Sequence, residues 1–331
     1  MAPAAEGRIV VVGASRGGVN AMKSLASMLP ASFPAPILVV LHVGDLPSTL
    51  PAILSRAGPM PARHAVDGEP LAKGTIFVAP PDRHLLIEDH ATRLLNGPKE
   101  HHTRPAIDPL FVSAALTHGP GVIGVLLTGS GDDGTFGLNA IKQCGGIAIV
   151  QHPNSAEAPA MPLAALRHGS VDHMVDLAQV APVLRKVLEE PPPKPAAVPP
   201  EALAREFDVF QGKGDAMENL EAIGKPSTFG CPDCAGALWE IAGSDPVRYR
   251  CHVGHGYSMG SLLDSQREGT DTTLWAAIRA LQERGLMLER LARLHRPTDP
   301  DRCQEIERAA DAMERQSHAL RRLVEGGARE G

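Results

Sequence analysis

Three residues of this 331-residue chain have the side chains of an acyl-transfer site, and each stands just past an apolar run. Ser15 follows Ile9–Val12, His42 follows Ile37–Leu41, and Asp133 lies in the Gly-rich stretch after Val122–Leu127. A serine hydroxyl needs a base to attack a carbonyl at neutral pH, and imidazole titrates in the required range. The imidazole in turn needs a carboxylate that fixes its tautomer and stabilises its cation. On spacing alone Asp132 competes with Asp133, and His152, just past another apolar run, competes with His42. Plainer roles are also open: a helix cap for Ser15, a hydrogen-bonded strand end for His42, a turn residue for Asp133.

A second group has metal-ligand spacing. Cys231-Pro-Asp-Cys234 and Cys251-His-Val-Gly-His255 are separated by sixteen residues that include the β-like stretches LWEI and VRYRC. Two close pairs around such sequence are the pattern of a zinc ribbon, and thiolates suit Zn²⁺. A unit this small buries too little apolar surface to fold unaided. The expected ligands are Cys231, Cys234, Cys251 and His255, with His252 the alternative fourth. Four protein ligands leave no open position, so the expected role is structural. The plainer alternative is a few buried cysteines without metal. Cys144 and Cys303 read as core or helix residues.

The elements that must position these groups follow from the hydrophobic pattern. Ile9–Val12 is wholly apolar, as in a strand buried on both faces, and Gly13 to Gly18 turn the chain into a helical pattern over Val19–Met28. Ile37–Leu41, Val122–Leu127 and Ile147–Val150 repeat the strand signal, with a helix between the last two ending near Cys144. Thr75–Pro80 and His84–Glu88 read as a hairpin around Pro-Pro-Asp-Arg, and Asp108–His118 as a helix capped by Asp108. The expected fold is α/β: a doubly wound, mostly parallel sheet with helices on both faces, plus a small metal-binding β unit and a C-terminal helical hairpin. Parallel strands end on one edge, where open α/β folds build their sites.

The expected organisation is a catalytic domain over 7–190, a linker over 191–226, a zinc-ribbon-like unit over 227–260 and a helical hairpin over 261–331. The run EEPPPKPAAVPP at 189–200 is incompatible with regular structure. In the hairpin, Leu274, Ile278, Leu281, Leu288 and Ala292 share a face interrupted by Gly285. That stripe gives the tail interaction potential, for example toward a partner in a signalling complex.

The net charge of −6 argues against nucleic acid as the main partner, and no apolar stretch reaches membrane-spanning length. Five cysteines, an odd and clustered set, fit a reducing cytoplasm better than a disulfide framework. A dinucleotide cradle at GASRGG is the main rival to an esterase. It lacks the complete G-x-G-x-x-G, and the only tyrosines, Tyr249 and Tyr257, have no lysine four residues on.

Six segments in order, VVVGASRGG, LVVLHV, VDGEPLAKGTIFVAPPDRH, RPAIDPLFVSAA, GVLLTGSGDDGTFGL and AMPLAALRHG, resemble the catalytic domain of the chemotaxis protein-glutamate methylesterases. The resemblance implies Ser15 as nucleophile, His42 as base and Asp133 as orienting carboxylate, with no catalytic cofactor. It implies hydrolysis of glutamyl methyl esters on methylated chemoreceptors and deamidation of glutaminyl groups as a related activity. The oxyanion donors expected are the backbone N–H groups of Arg16 and Ser130, where members of the family often carry Thr and Met. Regulated members place a receiver domain ahead of the esterase, whereas the esterase segment here starts at residue 8. The opposing expectation is a non-catalytic signalling scaffold with a degenerate esterase domain. A CPxC…CRVGHxYS segment similar to this one accompanies some esterases of the same kind, although His252 stands here in place of Arg.

Overall fold

The computed structural model describes residues 7–43, 47–169, 171–192 and 199–327. The chain divides into two compact units between Leu262 and Leu263.

The first unit is built on β1 (Ile9–Ala14), the middle strand of a seven-stranded parallel sheet. On one side lie β2 (Ile37–Leu41), then β4 (Ile76–Val78) and β3 (Ala62–His64); on the other lie β7 (Val122–Leu126), β8 (Ile147–Gln151) and β9 (His173–Val175). Every pairing in it is parallel. The apolar run predicted at residues 9–12 is buried on both faces for the reason its composition suggests. Ile9 and Val11 join one core, and Val10 and Val12 join the other. These four are at most 3% exposed, and each contributes on the order of 1.5–3 kcal/mol by leaving water. One core takes Leu110 and Phe111 of α3 (Ile107–His118) and Leu138 and Ile141 of α4 (Thr135–Gln143). The other takes Met22 and Leu25 of α1 (Gly18–Met28) and Leu184 of α6 (Leu177–Glu189). Helices α2 (Leu50–Ala57) and α5 (Ala160–His168) complete the two layers. Strand order reverses direction between β1 and β7, so the loops leaving both strands open one crevice.

Three expectations change. Thr75–Pro80 and His84–Glu88 do not pair with each other. Ile76–Val78 enters the parallel sheet beside β2, and β5 (His84–Glu88) forms its hairpin with β6 (Ala91–Leu95). Asp108 is inside the first turn of α3 and does not cap it, because its carboxylate accepts hydrogen bonds from Gly134 and Gly137. Within the 191–226 span expected as linker, α7 (Glu201–Gln211) and α8 (Ala216–Ile223) are regular helices; of the Pro-rich run, residues 193–198 lie outside those described. Leu203 packs into the main core, while Val209, Leu220 and Ile223 pack on Trp239 and Ile241, which explains why this span is ordered.

Four antiparallel strands, β10 (Gly224–Gly230), β11 (Ala237–Ile241), β12 (Arg248–Cys251) and β13 (Gly256–Ser258), form an accessory sheet. Helix α9 (Met259–His295) then runs into the second unit, where it pairs with α10 (Pro300–Gly327) through Leu288, Ala292, Cys303 and Ile306. The stripe read from sequence holds: Ile278 and Ala292 are buried, and Leu274, Leu281 and Leu288 half-buried.

Candidate active site

Ser15 begins the turn that carries β1 into α1. Its N–H donates to the Thr128 carbonyl at 3.0 Å, and the Thr128 hydroxyl donates to the Arg16 carbonyl at 3.0 Å, which ties the loops after β1 and β7 together. Their approach requires Gly129. A Cβ there would lie 2.4 Å from Met161 Cε and 3.0 Å from Ser15 Cβ. Gly17, at φ 77°, supplies the left-handed conformation that starts α1.

The three residues singled out from sequence converge. The Ser15 hydroxyl is 3.0 Å from His42 Nδ1, and His42 Nε2 is 2.7 Å from Asp133 Oδ2. Asp133 is 3% exposed and accepts two further bonds, from the N–H of Ile107 at 2.7 Å and of Asp108 at 2.9 Å. Burial alone raises its pKa. The bond from His42, the charges of His101 and His42 and the Ile107 N–H outweigh that, so its carboxyl stays below the usual carboxylate range. An ionised Asp133 keeps the proton on Nε2, which leaves Nδ1 free to accept from the serine hydroxyl. A serine linked in this way to an oriented imidazole is suited to nucleophilic acyl transfer.

The competitors have other roles. His152 Nδ1 accepts from the Asn154 N–H at 3.1 Å and caps a short turn over Pro153–Ser155. Asp132 stands 3.6 Å from His101 Nδ1 and has no bond to His42. Arg16 and Ser130 occupy the loops beyond β1 and β7, and among the described residues neither backbone N–H has a protein acceptor.

Sequence reasoning missed the layer behind Asp133. His101 Nε2 donates to Asp108 Oδ2 at 2.9 Å, and His101 Nδ1 lies 3.0 Å from Ser261 Oγ. Burial lowers the His101 pKa, but the Asp108 bond and the carboxylates of Asp133, Asp108 and Asp132 raise it to about 9. His101 is therefore an imidazolium at neutral pH. Its φ of 50° belongs to an irregular loop, where periodicity carries no information; the pair His101-His102 was the only available signal.

The second cluster also forms. One ligand atom from each of Cys231, Cys234, Cys251 and His255 lies within 4.8 Å of the other three. Cys234 Sγ and Cys251 Sγ are 3.7 Å apart, and Cys251 Sγ is 3.5 Å from His255 Nδ1. Sulfurs bound tetrahedrally at about 2.3 Å from one zinc stand about 3.8 Å apart, so the donor set fits that ion. Tight turns present both pairs: Ala235 N–H donates to the Cys231 carbonyl, and Gly254 N–H to that of Cys251. His252 is exposed and outside the cluster.

Comparison with known proteins agrees with the fold. A family described as CheB methylesterase matches residues 10–184. A Leptospira interrogans protein, named provisionally as a protein-glutamate methylesterase/protein-glutamine glutaminase, is 39% identical over 174 residues, which are 52% of this chain and 90% of that protein. Protein-glutamate methylesterase/protein-glutamine glutaminase 2 of Anaeromyxobacter dehalogenans is 38% identical over 187 residues, 56% of this chain and 55% of the relative. The chain thus spans nearly all of the first and about half of the second. The crystal structure of the Thermotoga maritima CheB methylesterase catalytic domain superposes with a TM-score of 0.53 at 30% identity, covering 55% of this chain and all of that one. With a seven-stranded parallel sheet of that fold and a family match over more than half its length, this chain belongs to the CheB methylesterase family.

Proposed function

We propose that this protein is a serine hydrolase of protein glutamyl methyl esters, acting in the cytoplasm on methylated chemoreceptors or similar signalling proteins, with glutaminyl deamidation as a related activity. The observation that carries this reading is the continuous path from the Ser15 hydroxyl through His42 to Asp133 at the switch point of the sheet. Ser15 Oγ attacks the ester carbonyl while His42 Nδ1 takes its proton, and Asp133 stabilises the resulting imidazolium through Nε2. Collapse of the tetrahedral adduct expels methanol, which takes the proton back from His42. Water, deprotonated by His42, then cleaves the acyl-serine and releases the glutamate carboxylate. The backbone N–H groups of Arg16 and Ser130 are assigned to the oxyanion, where one such donor is worth about 3 kcal/mol in the barrier.

No helix among the described residues is long and apolar enough to cross a membrane. We assign a structural zinc to Cys231, Cys234, Cys251 and His255; it takes no part in the ester chemistry. A non-catalytic scaffold would need none of the three aligned groups. Methanol release from methylated receptors separates the two readings. The wild-type chain should release methanol and Ser15→Ala should not, with the fold unchanged by circular dichroism. Equal release by both proteins would refute the assignment of Ser15.

A further inference from the structure

The accessory sheet reaches the residue that supports the triad carboxylate. Arg248, on β12, is 1% exposed, and its guanidinium spans three carboxylates. Nη2 donates to Glu100 at 2.7 Å and to Glu206 at 2.9 Å, and Nη1 lies 3.3 Å from Asp108 Oδ2. The same guanidinium stacks 3.7 Å above the Phe136 ring, in the first turn of α4. Asp108 in turn grips the segment that contains Asp133. Its N–H donates to Asp133 Oδ1, and its Oδ1 accepts from Gly134 N at 2.9 Å and Gly137 N at 2.7 Å.

We propose that Arg248 is a positioning residue for the triad carboxylate, so that the accessory sheet completes the esterase site. This rests on the reading of Ser15, His42 and Asp133 given above. The charges favour it. Four buried carboxylates, Glu100, Glu206, Asp108 and Asp133, face two guanidiniums, Arg248 and Arg250, and the His101 imidazolium. Burial and the neighbouring Asp133 charge push the Asp108 pKa up, while His101 and Arg248 oppose that rise. Without Arg248 the buried Asp108 loses a cationic partner next to Asp133, and a buried charge short of partners is relieved by taking up a proton or by moving. Either response disturbs the Asp108 clamp on Asp133.

Arg250 provides an internal control. It binds Glu100 through both terminal nitrogens, at 2.9 and 3.0 Å, and Glu206 at 2.9 Å, but forms no hydrogen bond or ion pair with Asp108. It fastens the sheet through the same two glutamates as Arg248 does and is not bonded to the residue that holds Asp133. Fastening alone therefore predicts equal effects of the two arginines, whereas positioning predicts unequal ones.

The test compares Arg248→Lys, Arg250→Lys and Asp108→Asn in the full chain. The readouts are Ser15-dependent hydrolysis of p-nitrophenyl acetate and the downfield proton resonance of the His42 Nε2–H bond to Asp133. Arg248→Lys and Asp108→Asn should lower kcat by about 10²-fold, the scale of a misplaced catalytic group, with KM unchanged. Both should also shift or broaden the resonance, and Arg250→Lys should do neither. Asp108→Asn keeps the arginine–glutamate pairs, so it decides the matter if Arg248→Lys does not fold. A wild-type kcat and resonance in Asp108→Asn, or equal losses in folded Arg248→Lys and Arg250→Lys, would overturn the proposal. Absence of Ser15-dependent hydrolysis in the wild type would instead refute the esterase reading, and the resonance alone would then judge Arg248.

Discussion

Raising the pH should remove the stabilisation that one buried group, His101, gives the first unit. Its side chain is 6% exposed and lies among Asp108, Asp132 and Asp133, with Glu100 next to it in the chain. Burial lowers its pKa, but these carboxylates raise it from the ordinary 6.5 to about 9. The folded state therefore holds this proton more tightly than the unfolded state. The stabilisation is complete below about pH 6.5, falls by about 1.4 kcal/mol per pH unit above it, and is gone past about pH 9. The interval of about 2.5 units corresponds to about 3 kcal/mol, a large fraction of a typical domain's net stability. The measurement is the urea midpoint between pH 6 and 10, compared with His101→Gln in the same background. A Trp275→Phe background leaves Trp239 as the only tryptophan, and Trp239 reports the accessory sheet. The difference between the two proteins should shrink steadily across the window, and an imidazole titration by NMR should place His101 near 9. A difference that stays constant with pH, or a His101 midpoint near 6.5, would refute the reasoning.

Two further outcomes follow from the sites. Asp133→Asn leaves the ring in place but favours the wrong tautomer, so kcat should fall by about 10⁴-fold while the protein stays folded, read by p-nitrophenyl acetate hydrolysis. The protein should carry one zinc per chain by elemental analysis, and a strong chelator should expose Trp239, whose neighbour Leu238 pairs with Cys251, to acrylamide quenching. Unchanged quenching after complete metal loss would count against a structural role.

The parallel sheet was legible because β1, β2, β7 and β8 are short apolar runs bounded by turn residues, and that pattern alone places Ser15, His42 and Asp133 on one edge. It could not decide between Asp132 and Asp133, or between His42 and His152, because adjacent loop residues and equivalent strand ends look alike until side-chain directions are known. The hairpin was misread because the apolar run at Thr75–Ala79 suits a β-hairpin strand and a parallel one equally. Helices α7 and α8 were hidden behind the Pro-rich run, although Leu203, Phe207 and Phe210 keep helical spacing and Asp215 caps α8 by accepting from Met217 and Glu218 N–H. Glu100, Glu206, Arg248 and Arg250 carry no sequence signal of burial, since charged residues usually face water. Only the folded chain brings them together.

The ion pairs behind the triad also set an order of events during synthesis. Glu100 and Arg248 are separated by 148 residues, so at about 5–20 residues per second the arginine leaves the ribosome roughly 7–30 s after its partner. Asp133 follows Glu100 by 33 residues, so for most of that interval the nascent chain already has its serine, imidazole and acid, while Glu100 and Asp108 still lack Arg248. Until Arg248 arrives those two carboxylates can remain ionised only by staying hydrated. A chain stalled before residue 248 therefore keeps the loop behind the Asp133 carboxylate wet.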